Sequence, residues 1–467
     1  MRGKDRHPLS IPDHWLGVVK GWLDLYRSFG EALVQLSPAT LKTHALVIGT
    51  TGSGKTNFLH HMIAGDLVRG HSVVILDARE DLAKAAVELA ARAGIDPSLV
   101  RFFDLREKQK PLGFNPLAGK GEPFYRALGL IDAIAAEHDG LGVQTVEYFR
   151  HAALLLAETN SCLNQLDGLF HNTAARRALI ERATTISLKE FWKRYDLLSP
   201  EKQAALASPV LNKVSALLST EGLRRMYGHP SPVDLAEQLN RPGSITLISL
   251  AVDELHSAGW MTGSIMLSAI CREVFSRVTI AESQRNPIRL YVDEFENVLM
   301  RDFESILAEG RRFGFSLVLA HQTLAQLTPR LRSVILGNVG VKVVFRTGYQ
   351  DAEVLNKDLA GVKGAFDLPS LPIGEAVLWR RGTSPIQIEV NTPLIGDVGS
   401  TSPASRQFLE QLSELAPAYN EVVDEKPMST EESIVERVSG EEPPTREPTP
   451  RVSECAKGKS KRLEDWL

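Results

Sequence analysis

The sequence predicts an α/β fold: a mainly parallel sheet covered by helices, interrupted by an all-helical insertion and followed by a disordered tail. Three observations carry this reading. From Thr43 onward, short apolar, β-branched runs alternate with helical stretches. Between about Glu122 and Asn240 that strand texture vanishes and helical spacing replaces it. From about Val398 the chain is dominated by Glu, Ser, Thr and Pro. Strands that are apolar on both faces belong to parallel sheets buried between helix layers, whereas one-sided sheets alternate.

Taken in order, residues 1–40 are expected to form an N-terminal amphipathic helical segment. Between Ile11 and Leu36, Trp15, Val18, Val19, Trp22, Leu23 and Tyr26 fall at roughly helical steps. Residues 41–121 and 241–397 then form the α/β core. Its strand-like runs start at Ala45, Ser72, Val100, Ser244, Ile288, Ser316 and Val341, and a hairpin is expected around Ala376–Trp379 and Ile386–Val390. Residues 122–240 form the all-α insertion; Val143, Val146, Phe149, Ala153 and Leu156 follow i+3/i+4 steps, as do Val210, Val214 and Leu217. Residues 398–467 form the tail, with Pro427, Pro443, Pro444, Pro448 and Pro450 opposing any helix. Its end, with Trp466 and Leu467, reads as a solvated tail, with a partner-docking peptide as the alternative.

Composition narrows the function. The chain has 467 residues, 43% hydrophobic and 24% charged, with a net charge of -4. A small basic nucleic-acid module is excluded, so any nucleic acid must meet a localised basic surface. Lys357, Lys363, Arg380 and Arg381 are candidates for one. The three cysteines, Cys162, Cys271 and Cys455, are scattered and form no Cys-x-x-Cys pair, which removes a zinc ribbon and a disulfide framework. No run is long and apolar enough for a transmembrane span, and no signal-peptide cleavage site is visible. A cytoplasmic protein is expected.

The strongest motif is Gly49-Thr50-Thr51-Gly52-Ser53-Gly54-Lys55-Thr56, a P-loop. Glycines let successive backbone N–H groups turn inward onto phosphate oxygens. Lys55 brings a point charge to the β- and γ-phosphates, and Thr56 offers a hydroxyl to Mg²⁺. The following helix, Asn57 to Leu67, presents its positive N-terminal end to the same phosphates. ATP and Mg²⁺ are the implied cofactors.

A P-loop needs an acidic partner at the tip of a nearby strand. Tyr291-Val292-Asp293-Glu294 supplies Asp293 for the metal and Glu294 to orient and deprotonate water. Glu80-Asp81 and Asp253-Glu254 are rival acidic pairs, each readable as helix N-terminal acids. Ser316 to His321 forms a further strand ending in Gln322, placed to sense the γ-phosphate. Arg311 and Arg312 lie in the short loop Glu309–Gly314, from which an arginine could reach a neighbouring subunit's site. Adjacent residues on a helix point about 100° apart, so His60 and His61 cannot chelate one ion and are read as structural.

These segments carry a family resemblance. THALVIGTTGSGKT, GFNPLAG (Gly113–Gly119), YVDEF (Tyr291–Phe295), EGRRFGFSLVLAHQT (Glu309–Thr323) and GNVGVKVVFRTGYQDAEVL (Gly337–Leu355) resemble the FtsK–HerA superfamily. Within it, the likeness is to conjugative coupling proteins of the TraG/TraD type and runs roughly from Thr43 to Leu394. It implies a RecA-like ATPase that assembles as a ring, a homo-hexamer, and pumps DNA without sequence preference. Partners would be a relaxase or secretion-channel protein. By this resemblance Lys55 and Thr56 match Walker A, Asp293 and Glu294 match Walker B, Arg311 matches the trans-acting arginine with Arg312 as fallback, and Gln322 matches the glutamine of the following strand. Two departures stand out. Typical coupling proteins carry N-terminal membrane helices, so this chain would be a soluble variant or reach the inner membrane peripherally through a partner. Asp77-Ala78-Arg79 also replaces the frequent Asp-x-Lys. Alternatives are a protein-secretion ATPase of the same superfamily, a nucleotide-gated scaffold and a HerA-like DNA-processing helicase.

Overall fold

The computed structural model describes residues 42–137, 141–295, 303–360, 365–390 and 402–417, the short segments 26–28 and 33–34, and positions 40, 298 and 395. Eleven strands form one sheet, in the order β2-β1-β11-β10-β9-β3-β8-β7-β4-β6-β5. The labels denote β1 (Tyr26–Ser28), β2 (Leu33–Val34), β3 (Ala45–Ile48), β4 (Ser72–Asp77), β5 (Val100–Asp104), β6 (Ile245–Ser249), β7 (Ile288–Val292), β8 (Phe315–His321), β9 (Val341–Val344), β10 (Glu375–Arg380) and β11 (Ile386–Val390). From β9 to β5 every neighbouring pair is parallel. β10, β11, β1 and β2 extend the sheet antiparallel.

The parallel strands are buried on both faces, as their continuous apolar runs require. Side chains alternate between two cores. Leu46, Ile48, Leu290 and Val292 enter one; Ala45, Val47 and Tyr291 enter the other, beneath helices α1 (Lys55–Val68) and α2 (Asp81–Arg92). Asp77, at the tip of β4, accepts from the Ala83 N–H at 2.8 Å and the Arg79 N–H at 3.0 Å, and so ties the entry of α2 to the sheet.

The helical insertion is one long crossover between two neighbouring strands. The chain leaves β5 and runs through α3 (Pro123–Glu137), α4 (Val143–Glu158), α5 (Gln165–His171), α6 (Thr173–Arg182), α7 (Ile186–Asp196), α8 (Pro200–Leu218), α9 (Glu221–Tyr227) and α10 (Leu235–Asn240). It returns as β6, which pairs with β5 in the register Val100↔Ile245. Trp192 is fully buried, with Phe170, Phe191 and Tyr195 packed edge-on around it. After β6 come α11 (Val252–Leu255), α12 (Ser257–Ser276), α13 (Phe303–Glu309), α14 (Pro329–Asn338) and α15 (Tyr349–Ala360). Among the described residues no helix is long and apolar enough to cross a membrane.

Two expectations are corrected. The helical reading of Ile11–Leu36 fails where the segment is described: Tyr26–Ser28 pairs with β11 and Leu33–Val34 pairs with β1. The open edge of β11 offers unpaired N–H and C=O groups, and that hydrogen-bonding demand overrides a weak helical period. The remainder of that segment lies outside the described residues. The tail also starts later than Val398. Pro403–Leu415 forms α16, with Pro403 in the first turn and the Ser402 hydroxyl accepting from the Ser405 N–H at 3.1 Å. Phe408 is buried beside α2, and both Ser402 and Ser405 hydrogen-bond Glu88. Residues 418–467, including Trp466 and Leu467, lie outside the described residues, as does Lys363.

This docking has a measurable consequence. Phe408→Ala empties a buried aromatic site and is expected to cost about 3 kcal/mol in urea unfolding, while nucleotide affinity stays as in the wild type. A cost near zero would show that α16 is not packed.

Candidate functional site

The P-loop is held at both ends by the sheet. The Gly49 N–H donates to the His321 carbonyl at 3.2 Å, and the Thr50 N–H to the Arg346 carbonyl at 2.8 Å. Space dictates glycine at position 49: a Cβ there would lie 2.6 Å from the Phe345 Cβ and 2.8 Å from the Ser53 Oγ. Gly54 precedes α1 at φ +113°, a conformation side chains oppose, and an added Cβ would press on the Gly374 backbone at 3.2 Å. The loop therefore rests on the Gly337–Leu355 segment and on β10.

Lys55 opens α1 and is largely buried. Its Nζ donates to the loop carbonyls of Gly49 at 2.6 Å and Thr50 at 3.1 Å. Burial lowers its pKa, and the carboxylates of Asp293 and Glu294 partly oppose this. Thr56 is exposed, while the Ser53 Oγ is buried with no hydrogen-bond partner among the described residues.

β8 lies between β3 and β7, so the acidic tip is two strands from the P-loop strand, with Gln322 between them. The chain leaves β7 with the Asp293 N–H on the Leu76 carbonyl at 3.3 Å. Glu294 then adopts φ +51°, an unfavourable angle for a side chain of its size and one that recurs at functional sites. Asp293 has a pKa pushed up to about 6, first by burial and then by the like charges of Asp77 and Glu294. Gln322 bridges: its Nε2 donates to the Glu294 Oε1 at 3.2 Å, and its Oε1 accepts from the Thr51 Oγ at 3.2 Å. Lys55, Asp293, Glu294 and Gln322 thus converge, and Thr56 follows Lys55 in α1.

The rival acidic pairs are engaged elsewhere. Arg106 binds Asp253 at 2.6 Å, Glu254 at 3.0 Å and Glu80 at 3.0 Å, beside β5 and β6.

Arg311 and Arg312 are exposed on the turn Gly310–Phe313, which precedes β8; Gln322 follows the same strand. Seven residues of strand span about 20 Å, so Arg311 stands at the opposite edge of the sheet from its own P-loop. It lines a basic groove of about 460 Å³ with Lys42, Arg285 and Arg312, and Glu282 is the acid in it. His44 sits beneath, its Nδ1 accepting from the Leu317 N–H at 3.0 Å. Burial, then the Arg311 guanidinium, lowers its pKa to about 4, so it is neutral. Of the other basic candidates, Arg381 donates to the Gly337 carbonyl at 2.8 Å near this same edge, and Lys357 is exposed on α15.

Sequence reasoning assigned no role to Arg79, whose guanidinium lies 3.4 Å from the Glu294 Oε1. Its signal was the basic residue two places after Asp77. Its meaning depends on β4 lying beside β7, which no local pattern reveals.

The donor set fits a hard cation. Among the described residues no three His, Cys, Asp or Glu side chains form a metal cage. Mg²⁺ is typically held by one or two protein oxygens together with phosphates and water, and the buried Asp293 carboxyl, crowded by the like charges of Asp77 and Glu294, offers one such oxygen.

Fold and site together define a RecA-like P-loop protein with a helical insertion. The model described as "Helicase HerA, central domain" matches residues 28–266, and the one described as "TraM recognition site of TraD and TraG" matches residues 287–364. The chain belongs to the HerA central-domain family. It is 24% identical over 370 residues to the type 4 coupling protein DotL of Legionella pneumophila, covering 66% of this chain and 47% of that protein. The chain therefore spans about half the length of this curated relative. Among solved structures, the bacterial conjugative coupling protein TrwBdeltaN70 in its unbound form matches with a TM-score of 0.58 at 16% identity, over 83% of this chain and 93% of that one. The plasmid coupling protein TrwB in complex with ADP and Mg²⁺ matches at 0.56 and 16%, over 79% and 90%. VirB4 of Thermoanaerobacter pseudethanolicus matches at 0.54 and 16%, over 82% and 97%. At these identities the likeness is one of fold.

The raised pKa of Asp293 has a sign that can be checked. Its stabilising contribution is fully present below about pH 4 and is lost as pH rises through about 6, because folding then buries a charge. Asp293→Asn should therefore stabilise the ligand-free protein by about 2 kcal/mol at pH 7.5, after discounting for partial solvent access, and by almost nothing at pH 4. Urea unfolding at the two pH values measures this. Equal effects at both would contradict the crowding of charge.

Proposed function

We propose that this chain is an ATP-driven DNA translocase, a coupling ATPase of a conjugative or type IV secretion-like system that works as a ring, read as a hexamer. The observation that carries the proposal is the convergence of Lys55, Asp293, Glu294 and Gln322 at one edge, with Arg311 exposed at the other. A residue about 20 Å from its own P-loop can serve hydrolysis only in another copy.

In this reading the P-loop N–H groups cradle the phosphates. Lys55 exchanges the Gly49 and Thr50 carbonyls for β- and γ-phosphate oxygens. Thr56 and Asp293 would hold Mg²⁺, which when bound neutralises charge between those phosphates. Glu294 takes a proton from water while the water oxygen bonds to the γ-phosphorus and the bond to the bridging oxygen breaks. ADP and phosphate leave. Gln322, already touching Glu294 and the loop, reports whether the γ-phosphate is present. Arg311 of a neighbouring copy stabilises the charge that develops. The relatives support this reading: TrwB has been captured with ADP and Mg²⁺ and with a non-hydrolysable ATP analogue. The match to a TraM recognition site supports a relaxosome or secretion-channel partner, through which a cytoplasmic ring would sit peripherally at the inner membrane.

ATP hydrolysis by the purified chain, with and without single- and double-stranded DNA, tests the proposal. DNA should stimulate hydrolysis, and stimulation should fall steeply with salt as phosphate contacts are screened. Indifference to DNA would turn the reading toward a protein-secretion ATPase. Lys55→Ala should abolish turnover, and Glu294→Gln should bind ATP normally with turnover lowered by about 10²–10⁴.

Arg311→Ala should be inactive alone yet regain activity when mixed with Glu294→Gln, because the mixture creates sites with both groups intact. Failure of the mixture, with both variants assembling normally, would rule out action between copies.

A further inference from the structure

We infer that Asp66, Arg289 and Tyr291 form a brace that positions the Asp293 carboxylate against Lys55 and Thr56, and so sets the strength of magnesium binding. This rests on reading Asp293 as the magnesium ligand. None of the three residues touches the site itself.

Their geometry is unusually complete. The Arg289 Nη1 donates to both Asp66 oxygens, at 2.6 and 2.8 Å, and the Tyr291 hydroxyl donates to the Asp66 Oδ2 at 2.6 Å. His71 Nδ1 lies 3.2 Å from the Asp66 Oδ1, and the Arg289 Nε reaches the Ser316 hydroxyl of β8 at 3.3 Å. Asp66 and Tyr291 have 0% exposure and Arg289 5%. Burial disfavours the Asp66 charge; the Arg289 guanidinium, then His71 and Tyr291, outweigh it and hold the carboxyl below its ordinary range.

The brace joins two particular elements. Asp66 sits in α1, the helix that begins with Lys55 and Thr56. Arg289 and Tyr291 sit in β7, which ends at Val292, immediately before Asp293. Strand side chains alternate, so Arg289 and Tyr291 share one face, which carries Tyr291 into the core beneath α1, and Asp293 follows Tyr291 by two residues. β7 does not pair with β3, since β8 separates them. Backbone hydrogen bonds therefore do not fix Asp293 to the P-loop directly, whereas this tie runs straight from the helix to the strand.

A purely stabilising role explains the network poorly. Burying an ion pair gives little net stability, and apolar residues of similar volume often serve as well. What a multidentate pair supplies is one permitted alignment of helix against strand. The metal site needs that alignment, because an error of an ångström there is costly.

The experiment titrates Mg²⁺ against binding of a fluorescent ATP analogue, with affinity in EDTA measured alongside. Tyr291→Phe removes one hydroxyl and keeps the ring, so it folds even where Arg289→Met does not. It should raise the Mg²⁺ midpoint by about threefold to tenfold and leave metal-free affinity unchanged. Phe408→Ala, which destabilises a distant contact, should leave the midpoint alone. An unshifted midpoint for Tyr291→Phe, or an equal shift for Phe408→Ala, overturns the brace. If Asp293→Asn itself leaves the midpoint in place, the reading of Asp293 fails and takes the brace with it.

Discussion

Like charges that are buried together must be compensated, and the rest of this structure is arranged around that constraint. Asp77, Asp293 and Glu294 lie at the tips of two adjacent parallel strands, where burial first and then the like charges of Asp77 and Glu294 raise the pKa of Asp293. Lys55 stands opposite them, its own charge disfavoured by burial. Asp77 is neutralised in part by the N–H groups that start α2. Among the described residues Asp293 accepts from the Glu294 N–H at 3.0 Å, a smaller set of donors than Asp77 has. A parallel sheet enforces this crowding because every strand tip points the same way, and the chemistry gathers at that one edge.

Much of this was legible in the sequence, and the reason is local. The P-loop is contiguous, so its glycines and Lys55 announce their geometry through spacing alone. The apolar runs of the parallel strands are continuous, and continuity distinguishes two-sided burial from one-sided. The helical texture of residues 122–240 likewise needs only its own period. What local pattern could not convey was strand order. That β8 lies between β3 and β7, that Arg79 meets Glu294, and that Asp253 and Glu254 are taken by Arg106 all follow from which strand lies beside which.

The two corrected segments have the same cause. Tyr26–Ser28 is a strand because the edge of β11 is open, a fact about a partner more than 350 residues away. Pro403 falls within the stretch expected to be disordered, yet proline is favoured in a first turn, and Phe408 had a place to be buried beside α2. Both ends of the core were misread where a distant surface decided the outcome.

β8 is the one element that carries a candidate group at each end. Its leading turn holds Arg311 and its trailing tip holds Gln322, with the seven buried residues of the strand between. A strand hydrogen-bonded on both flanks does not stretch. Any contact that shifts the arginine turn must then arrive at the glutamine as a displacement of similar size. If copies assemble as proposed, β8 joins the turn that would face one nucleotide to the tip that would face the next.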